Sequence, residues 1–201
     1  MIHIMTKAPE DLRAQHVADT RRRILDGLVK AMADGIGDLS IPAVARHAGV
    51  SVPTVYRHFR TKKALVAALA EHVGQTARLD PGPMDSLDEL TASVRVLFKR
   101  LDDMDETLRA AMASQMGKRM RRTELIARRT AVVRTALADS CKRLAAPDRD
   151  RLCNVVVVLW SSAALSAFKD YVGLSAEEAA DHVAWAIRAL VEGANTKRGK
   201  R

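Results

Sequence analysis

The chain is poor in rings. Only 3% of its 201 residues are aromatic: two Trp, two Tyr and three Phe. A core must therefore be assembled from Ala, Leu, Val and Met, a mixture that favours helix over strand. Cysteine is scarce as well. Cys141 and Cys153 are the only two, which excludes a disulfide framework and a zinc quartet and leaves two small buried apolar residues in a reducing compartment. The most apolar run, 155–160, is too short to span a bilayer and ends in Ser161 and Ser162. The opening MIHIMTKAPEDLRAQHVADT lacks the continuous apolar stretch of a signal peptide. A cytoplasmic protein without a membrane partner is expected. Catalytic signatures are missing too: there is no Gly-rich phosphate loop, HExxH, Gly-x-Ser-x-Gly elbow or CxxC. His47 and His58 are spaced poorly for a metal. No enzyme, metal site or cofactor is expected.

What the chain does have is positive charge and helical periodicity. The formal net charge is +9, which points to a polyanion such as nucleic acid or to an acidic membrane surface. Hydrophobic residues make up 48%, ample for a packed core in one or two domains. From Thr20, apolar residues Ile24, Leu28 and Met32 recur on one helical face, and DGIGD at 34–38 ends that helix. Ser40 caps a short helix with Pro42 in its first turn, and Gly49 stops it. Ser51 caps the next, with Pro53 in the first turn and Val55 and Phe59 inward. Thr61 caps a fourth. DPGP at 80–83 is the clearest punctuation in the chain. Beyond it, Ser86 and Glu89 form a capping box. Helices then follow through Leu108, Met112 and Met116 to near Gly117, through 126–144, through 148–171, and from a second capping box at Ser175 and Glu178 to about residue 194. The VVVV run at 155–158 has strand propensity but no partner strand and sits inside a helical pattern.

Residues 40–59 have the parts of a helix-turn-helix. Ala45 is small enough for two helices to cross closely, Gly49 supplies a left-handed turn, and Val50 plugs the gap. Such a motif presents the first turn and outer face of its second helix to the major groove. Here that surface is Ser51, Val52, Thr54, Tyr56, Arg57 and His58, side chains suited to phosphate oxygens, with Thr54 and Arg57 also able to reach base edges. Lys62 and Lys63 open the fourth helix, where exposed N–H groups and lysines together suit a phosphate. An ordinary helical hairpin with a solvated face would share the glycine turn. The order Ser cap, Pro, Thr, apolar, Tyr, then a basic helix start is far more specific.

At these residues the sequence resembles the TetR family of bacterial one-component transcriptional regulators. IPAVARHAGVSVPTVYRHFRTKKAL (41–65) carries the likeness, which spans about residues 20–72. The resemblance implies that Ser40 and Pro42 open the positioning helix near the DNA backbone. It implies that Val52, Pro53 and Thr54 face bases or sugar, and that Tyr56, His58 and Lys62 contact phosphates, with Arg57 beside them. Pro42 replaces the polar residue often found there, which removes a direct base contact from that position. Arg21, Arg22 and Arg23 begin the first helix, where the dipole disfavours cations; they are read as a phosphate clamp beside the recognition helix, with a solvated helix face as the competing account.

The expected architecture is all-α with about nine helices. Residues 1–18 form a flexible arm, and 19–79 a three-helix helix-turn-helix domain with the start of helix four. Residues 80–195 form an effector and dimerisation domain, and 196–201 a basic disordered tail. Leu97, Leu101, Met104, Met112, Met116, Met120, Val133, Leu137, Val156 and Trp160 are candidates for an effector pocket, since methionine adapts to varied ligands; plain core filling is the competing account. Helix 148–171 is apolar nearly all round, so it needs cover on more than one side. Val155, Leu159, Ser162, Ala163 and Ser166 on it, with Val183, Ile187, Leu190 and Val191 on the last helix, are the candidate homodimer interface. The family resemblance implies a dimeric repressor released from a pseudo-palindromic double-stranded operator by an unidentified small-molecule effector. A DNA-binding regulator without an effector, and a helical interaction protein, are the rivals.

Overall fold

The computed structural model describes residues 9–35, 38–77, 79 and 82–196, with side chains from residue 12 onward. Every regular element among them is helical: α1 (Pro9–Ala33), α2 (Ile41–Ala48), α3 (Val52–His58), α4 (Lys62–Thr76), α5 (Leu87–Asp102), α6 (Glu106–Ala113), α7 (Gln115–Met120), a π-helical turn π1 (Arg121–Leu125), α8 (Ile126–Leu137), α9 (Ala146–Leu159), α10 (Ser162–Ala167), a second π turn π2 (Phe168–Val172) and α11 (Ala176–Thr196). The protein is all-α.

The capping residues read from the sequence form their bonds. Ser40 Oγ accepts from Ala43 N–H at 3.4 Å, Ser51 Oγ from Thr54 N–H at 3.3 Å, Thr61 Oγ1 from Ala64 N–H at 3.0 Å and Ser86 Oγ from Glu89 N–H at 3.1 Å. The Ser175 box is complete: its Oγ accepts from Glu178 N–H at 3.2 Å, and Glu178 Oε2 accepts from Ser175 N–H at 2.9 Å. Ser175 Oγ also donates to Glu178 Oε2 at 2.7 Å, and this bond, with the one from Ser175 N–H, holds the Glu178 carboxyl below its ordinary value. At the Ser86 box the glutamate instead accepts from Asp85 N–H, one residue earlier.

Four expectations about helix extent need correction. The segment 9–18 is not an arm but the first part of α1; only residues 1–8 of the expected arm lie outside the described residues. Its side chains from 12 to 19 are all exposed, so no periodic apolar stripe marks it. Pro9 in the first turn, followed by Glu10 and Asp11 on the favourable end of the dipole, is the signal that does. The 148–171 helix is broken. Trp160 leaves helical geometry (φ −86°, ψ 58°) and Ser161 becomes the cap of α10. The two segments meet at a 58° bend. Ser161 Oγ donates to Val158 O and accepts from Ala164 N–H, so the hydroxyl satisfies backbone groups that the break orphans. The 126–144 helix ends at Leu137 and continues as turns to Arg143. The 108–117 helix breaks at Ser114, and α7 runs on through Gly117. The 155–158 run is helical as expected.

The chain divides into two compact units. One takes the N-terminal part through His72 together with Asp105–Arg121; the other takes Val73–Met104 and everything from Arg122. The division falls within α4 rather than at DPGP. Asp80 and Pro81 of that punctuation lie outside the described residues. α6 and α7 therefore belong with the helix-turn-helix, and α6 packs on α1. Gly117 permits the tight return of α7 onto α6: a Cβ there would meet Ala111 O at 2.5 Å and Met112 O at 2.6 Å.

The core of the second unit is formed by α5, α8, α9, α10 and α11. Leu90, Val94, Phe98, Val133, Val156, Val183 and Ile187 are all fully buried there. Cys141 and Cys153 are free and buried in the same core, and burial pushes both thiols up from their ordinary value. Exposed ion pairs ring this core: Arg95 with Glu177 and Asp181, Lys169 with Asp102, Arg188 with Asp88, and Arg134 with Asp150. No single helix among the described residues is long and apolar enough to cross a membrane.

Candidate nucleic-acid interface

The turn between α2 and α3 is built by backbone bonds that its sequence permits. Gly49 sits at φ +64° and donates to Arg46 O at 3.2 Å, while Val50 N–H reaches back to Ala45 O at 3.0 Å. This paired pattern is a Schellman closure, which needs the left-handed conformation that glycine adopts freely. Ser51 then caps α3 two residues later. Val55 and Phe59 point inward at 0% and 3% exposure, and Val44, Ala45 and Ala48 are buried on α2.

That leaves the other side of α3 to solvent. Ser51, Pro53, Tyr56 and Arg57 are exposed, and Val52, Thr54 and His58 are half-buried. Pro42 is exposed at the start of α2 and Ser40 is half-buried. Lys62 and Lys63 stand exposed on the first turn of α4. The structure therefore gathers the candidates from Ser40 to Lys62 on one helix-turn-helix. Ser51 Oγ and Thr54 Oγ1 are 2.9 Å apart and hydrogen-bonded, so the two hydroxyls act as one polar unit. The surrounding charge is of one sign. Between Leu39 and Ala70 there is no acidic residue, while Arg46, Arg57, Arg60, Lys62 and Lys63 supply positive charge. Burial, with help from Arg57 and Arg21, holds the His58 imidazole below its ordinary value of 6.5, so the free protein keeps this ring neutral at pH 7.

The three arginines of α1 do not form one clamp. Arg21 lies 4.4 Å from the centre of the Phe59 ring, stacked at the end of α3. Arg22 makes a long contact of 3.5 Å with Asp19 on its own helix. Arg23 turns to the protein: its Nη2 donates to Ala48 O at 2.9 Å and Gly49 O at 3.0 Å. Arg23 thus serves the carbonyls at the end of α2 with one of its nitrogens, a partner the clamp reading did not include. Gly27, one turn further along α1, was not legible as functional. A Cβ there would lie 2.7 Å from Ala48 N, and only the packed structure reveals that closeness.

Residues 24–69 match the family model for bacterial regulatory proteins of the tetR family. An uncharacterized HTH-type transcriptional regulator of Mycobacterium tuberculosis strain H37Rv is 26% identical over 157 residues, covering 75% of this chain and 82% of that protein. An uncharacterized HTH-type transcriptional regulator of Mycobacterium bovis shows the same identity and coverage. A crystal structure of a transcriptional regulator from Rhodococcus sp. Rha1 aligns over 87% of this chain and 97% of that one, with a TM-score of 0.56 and 19% identity, a likeness of fold. The chain is a transcriptional regulator with a DNA-binding domain of the TetR type, and the match runs from the middle of α1 to α4, the span that holds the exposed face of α3.

The remaining candidates divide between the units. Leu97, Val133, Leu137, Val156 and Trp160 are core residues of the second unit, with Leu101 packed against them. Trp160 Nε1 donates to Ser93 Oγ at 3.1 Å, and Arg129 lies 5.7 Å from its ring centre. Met104 is buried in the same unit. Met112, Met116 and Met120 are not in the C-terminal part, as their sequence position suggests, but in the first unit with α6 and α7. Met116 there borders a shallow depression with Leu28, Met32 and Val44. In the basic run KRMRR at 118–122, Arg121 donates to Met112 O and is half-buried.

The candidate interface residues separate just as clearly. Val183, Ile187 and Val191 are 0–4% exposed in the core of their own subunit, so they have no surface to offer a partner. This corrects their assignment. They are the inner stripe of α11, and periodicity alone does not say which of two apolar stripes faces which neighbour. Val155 remains 42% exposed, Val158 62%, Trp185 71% and Leu190 39%. Ala163 and Ser166 are exposed, and Leu159 and Ser162 are half-buried.

Proposed function

We propose that this protein is a repressor that binds a pseudo-palindromic operator as a homodimer and leaves it when a small molecule occupies the second unit. The observation that carries the reading is the solvent face of α3. Ser51, Thr54, Tyr56 and Arg57 stand on a turn closed by Gly49, inside a stretch of chain without a single carboxylate. Phosphate contacts from such a face fix register, and base contacts from its first turn specify sequence.

A dimer is supported by the surface apolar residues of two helices that pack together, α9 and α11. Val155 and Val158 on one, with Trp185 and Leu190 on the other, leave bulky apolar groups in water. Ala186, Ala189 and Gly193 lie on the Trp185 side of α11 at helical spacing, small enough to let a second helix approach. Two recognition helices in such a dimer would need to lie about 34–36 Å apart to reach successive major grooves.

Genome-wide mapping of bound sites, followed by gel shifts on the recovered sequences, tests the DNA reading. A two-fold symmetric site protected by the dimer is expected; absence of any sequence preference would refute it. Thermal shift against a metabolite panel tests the effector, since a ligand that binds only the folded form raises the melting temperature. A compound that both raises it and releases the operator is expected.

A further inference from the structure

Arg23 holds the α2–α3 turn from outside it. The guanidinium comes from α1, 25 residues away in sequence, and one nitrogen serves both Ala48 O and Gly49 O. These carbonyls point out of the C-terminal end of α2. The backbone amides of Gly49 and Val50 are already spent on Arg46 O and Ala45 O, so these two amides do not serve them. A cation here also meets the negative end of the helix dipole. One turn along the same face of α1, Gly27 brings the helix backbone against Ala48 itself. α1 therefore grips the last residue of α2 twice, once by close packing and once by charge, and α3 begins only three residues after Gly49.

We propose that Arg23 is a positioning residue for the recognition helix: its guanidinium fastens the Ala48–Gly49 turn to α1 and so fixes how α3 meets the DNA, without touching phosphate itself. The inference rests on the DNA-binding reading above for its consequence, but the fastening is a property of the protein alone. One donor nitrogen makes both bonds, so an ammonium at the same reach can replace it in kind. A neutral amide cannot supply the charge.

The test compares the full chain with Arg23→Gln and Arg23→Lys. Hydrogen exchange of the Gly49 and Val50 amides, measured without DNA, reads the fastening. Arg23→Gln is expected to speed it about tenfold, the scale of a lost charged hydrogen bond, while α11 amides are unchanged. Arg23→Lys should restore most of the protection. Binding is then measured on a duplex selected from a random library by the wild-type protein, and on a scrambled duplex, across a salt series. In Arg23→Gln, affinity for the selected duplex should fall about tenfold and affinity for the scrambled duplex should hold. The slope of log affinity against log salt should also be unchanged. A slope reduced by about one unit per subunit, with equal loss on both duplexes, would make Arg23 a phosphate contact and overturn the proposal. Unaltered turn exchange would overturn it as well. Should Arg23→Gln fail to fold, Arg23→Lys decides: slowed turn exchange with sequence preference retained supports the fastening, and unprotected turn amides in a folded Lys variant refute it. If the wild-type protein selects no duplex, the DNA reading fails and takes the proposed consequence with it, whereas the exchange result still judges the fastening.

Discussion

Replacing Gly27 by alanine sets two known effects against each other. In a helix interior, alanine is favoured over glycine by roughly 0.5–1 kcal/mol. Here the new methyl would sit 2.7 Å from Ala48 N, 2.9 Å from Ala48 Cβ and 3.0 Å from Ala48 Cα. Ordinary contacts begin near 3.4 Å or beyond, so α2 would have to back away from α1 by several tenths of an ångström. Two of the three obstacles are backbone atoms that no rotamer change can move. Overpacking of this kind costs about 1–3 kcal/mol, so Gly27→Ala should destabilise the protein by about 0–2.5 kcal/mol after the propensity gain. Binding should suffer more than stability, because the displaced residue adjoins the turn that launches α3. Urea unfolding gives the first quantity and titration of a fluorescent operator gives the second. Adding Ala48→Gly removes only the 2.9 Å obstacle, so rescue should be partial. A Gly27→Ala protein that is more stable by the full propensity gain and binds with unchanged affinity would refute the reasoning.

Other expectations follow from the same surfaces. Tyr56→Phe keeps the ring and loses an exposed hydroxyl; binding should weaken by roughly 1 kcal/mol on any duplex, and an unchanged affinity would remove Tyr56 from the contact set. Phosphate favours a protonated His58, so binding should take up a proton, and operator affinity should rise as pH falls toward the lowered value of the free ring. The folding sign is opposite. The depressed value in the folded chain means the unfolded chain binds the proton more readily, so this residue's contribution is complete above about 6.5 and declines below it. His58→Gln should flatten the binding profile, and an identical pH profile would refute the role. Val158→Glu with Trp185→Glu alters exposed positions, so circular dichroism should remain helical while sedimentation reports monomers and operator binding is lost. Ile187→Glu, by contrast, buries an unpaired carboxylate and should melt the second unit. A double variant that stays dimeric would put the interface elsewhere.

Local signals were the most readable part of this sequence. Ser40, Ser51, Thr61 and Ser175 each cap the helix they precede because their hydroxyl and the orphan amide it serves are three residues apart. Gly49 was readable for the same reason: its conformation is decided within six residues. What escaped was decided at longer range or by several neighbours at once. The first part of α1 has helix-forming residues, but those from Leu12 to Asp19 bury nothing, so a search for apolar stripes passes over it. At the break, the Trp160 indole has its partner, Ser93, 67 residues away, a neighbour that local sequence does not announce. Val183, Ile187 and Val191 form a good apolar stripe, and so do the exposed residues near Trp185. Only the packing of α5 and α9 against α11 decides which stripe is internal. Arg23 read as one of three equivalent cations until α2 was placed beside it.

The grouping of α6 and α7 with the helix-turn-helix bears on how the chain is made. A reading unit confined to the first 79 residues could fold as soon as they left the ribosome. This one includes Asp105–Arg121, so more than half of the 201 residues must be synthesised before it can close. At about 5–20 residues per second, the side of α1 that receives α6 waits several seconds for its partner, with residues 73–104 emerging in between. Excising a minimal DNA-binding fragment at the DPGP punctuation would reproduce that unfinished state permanently.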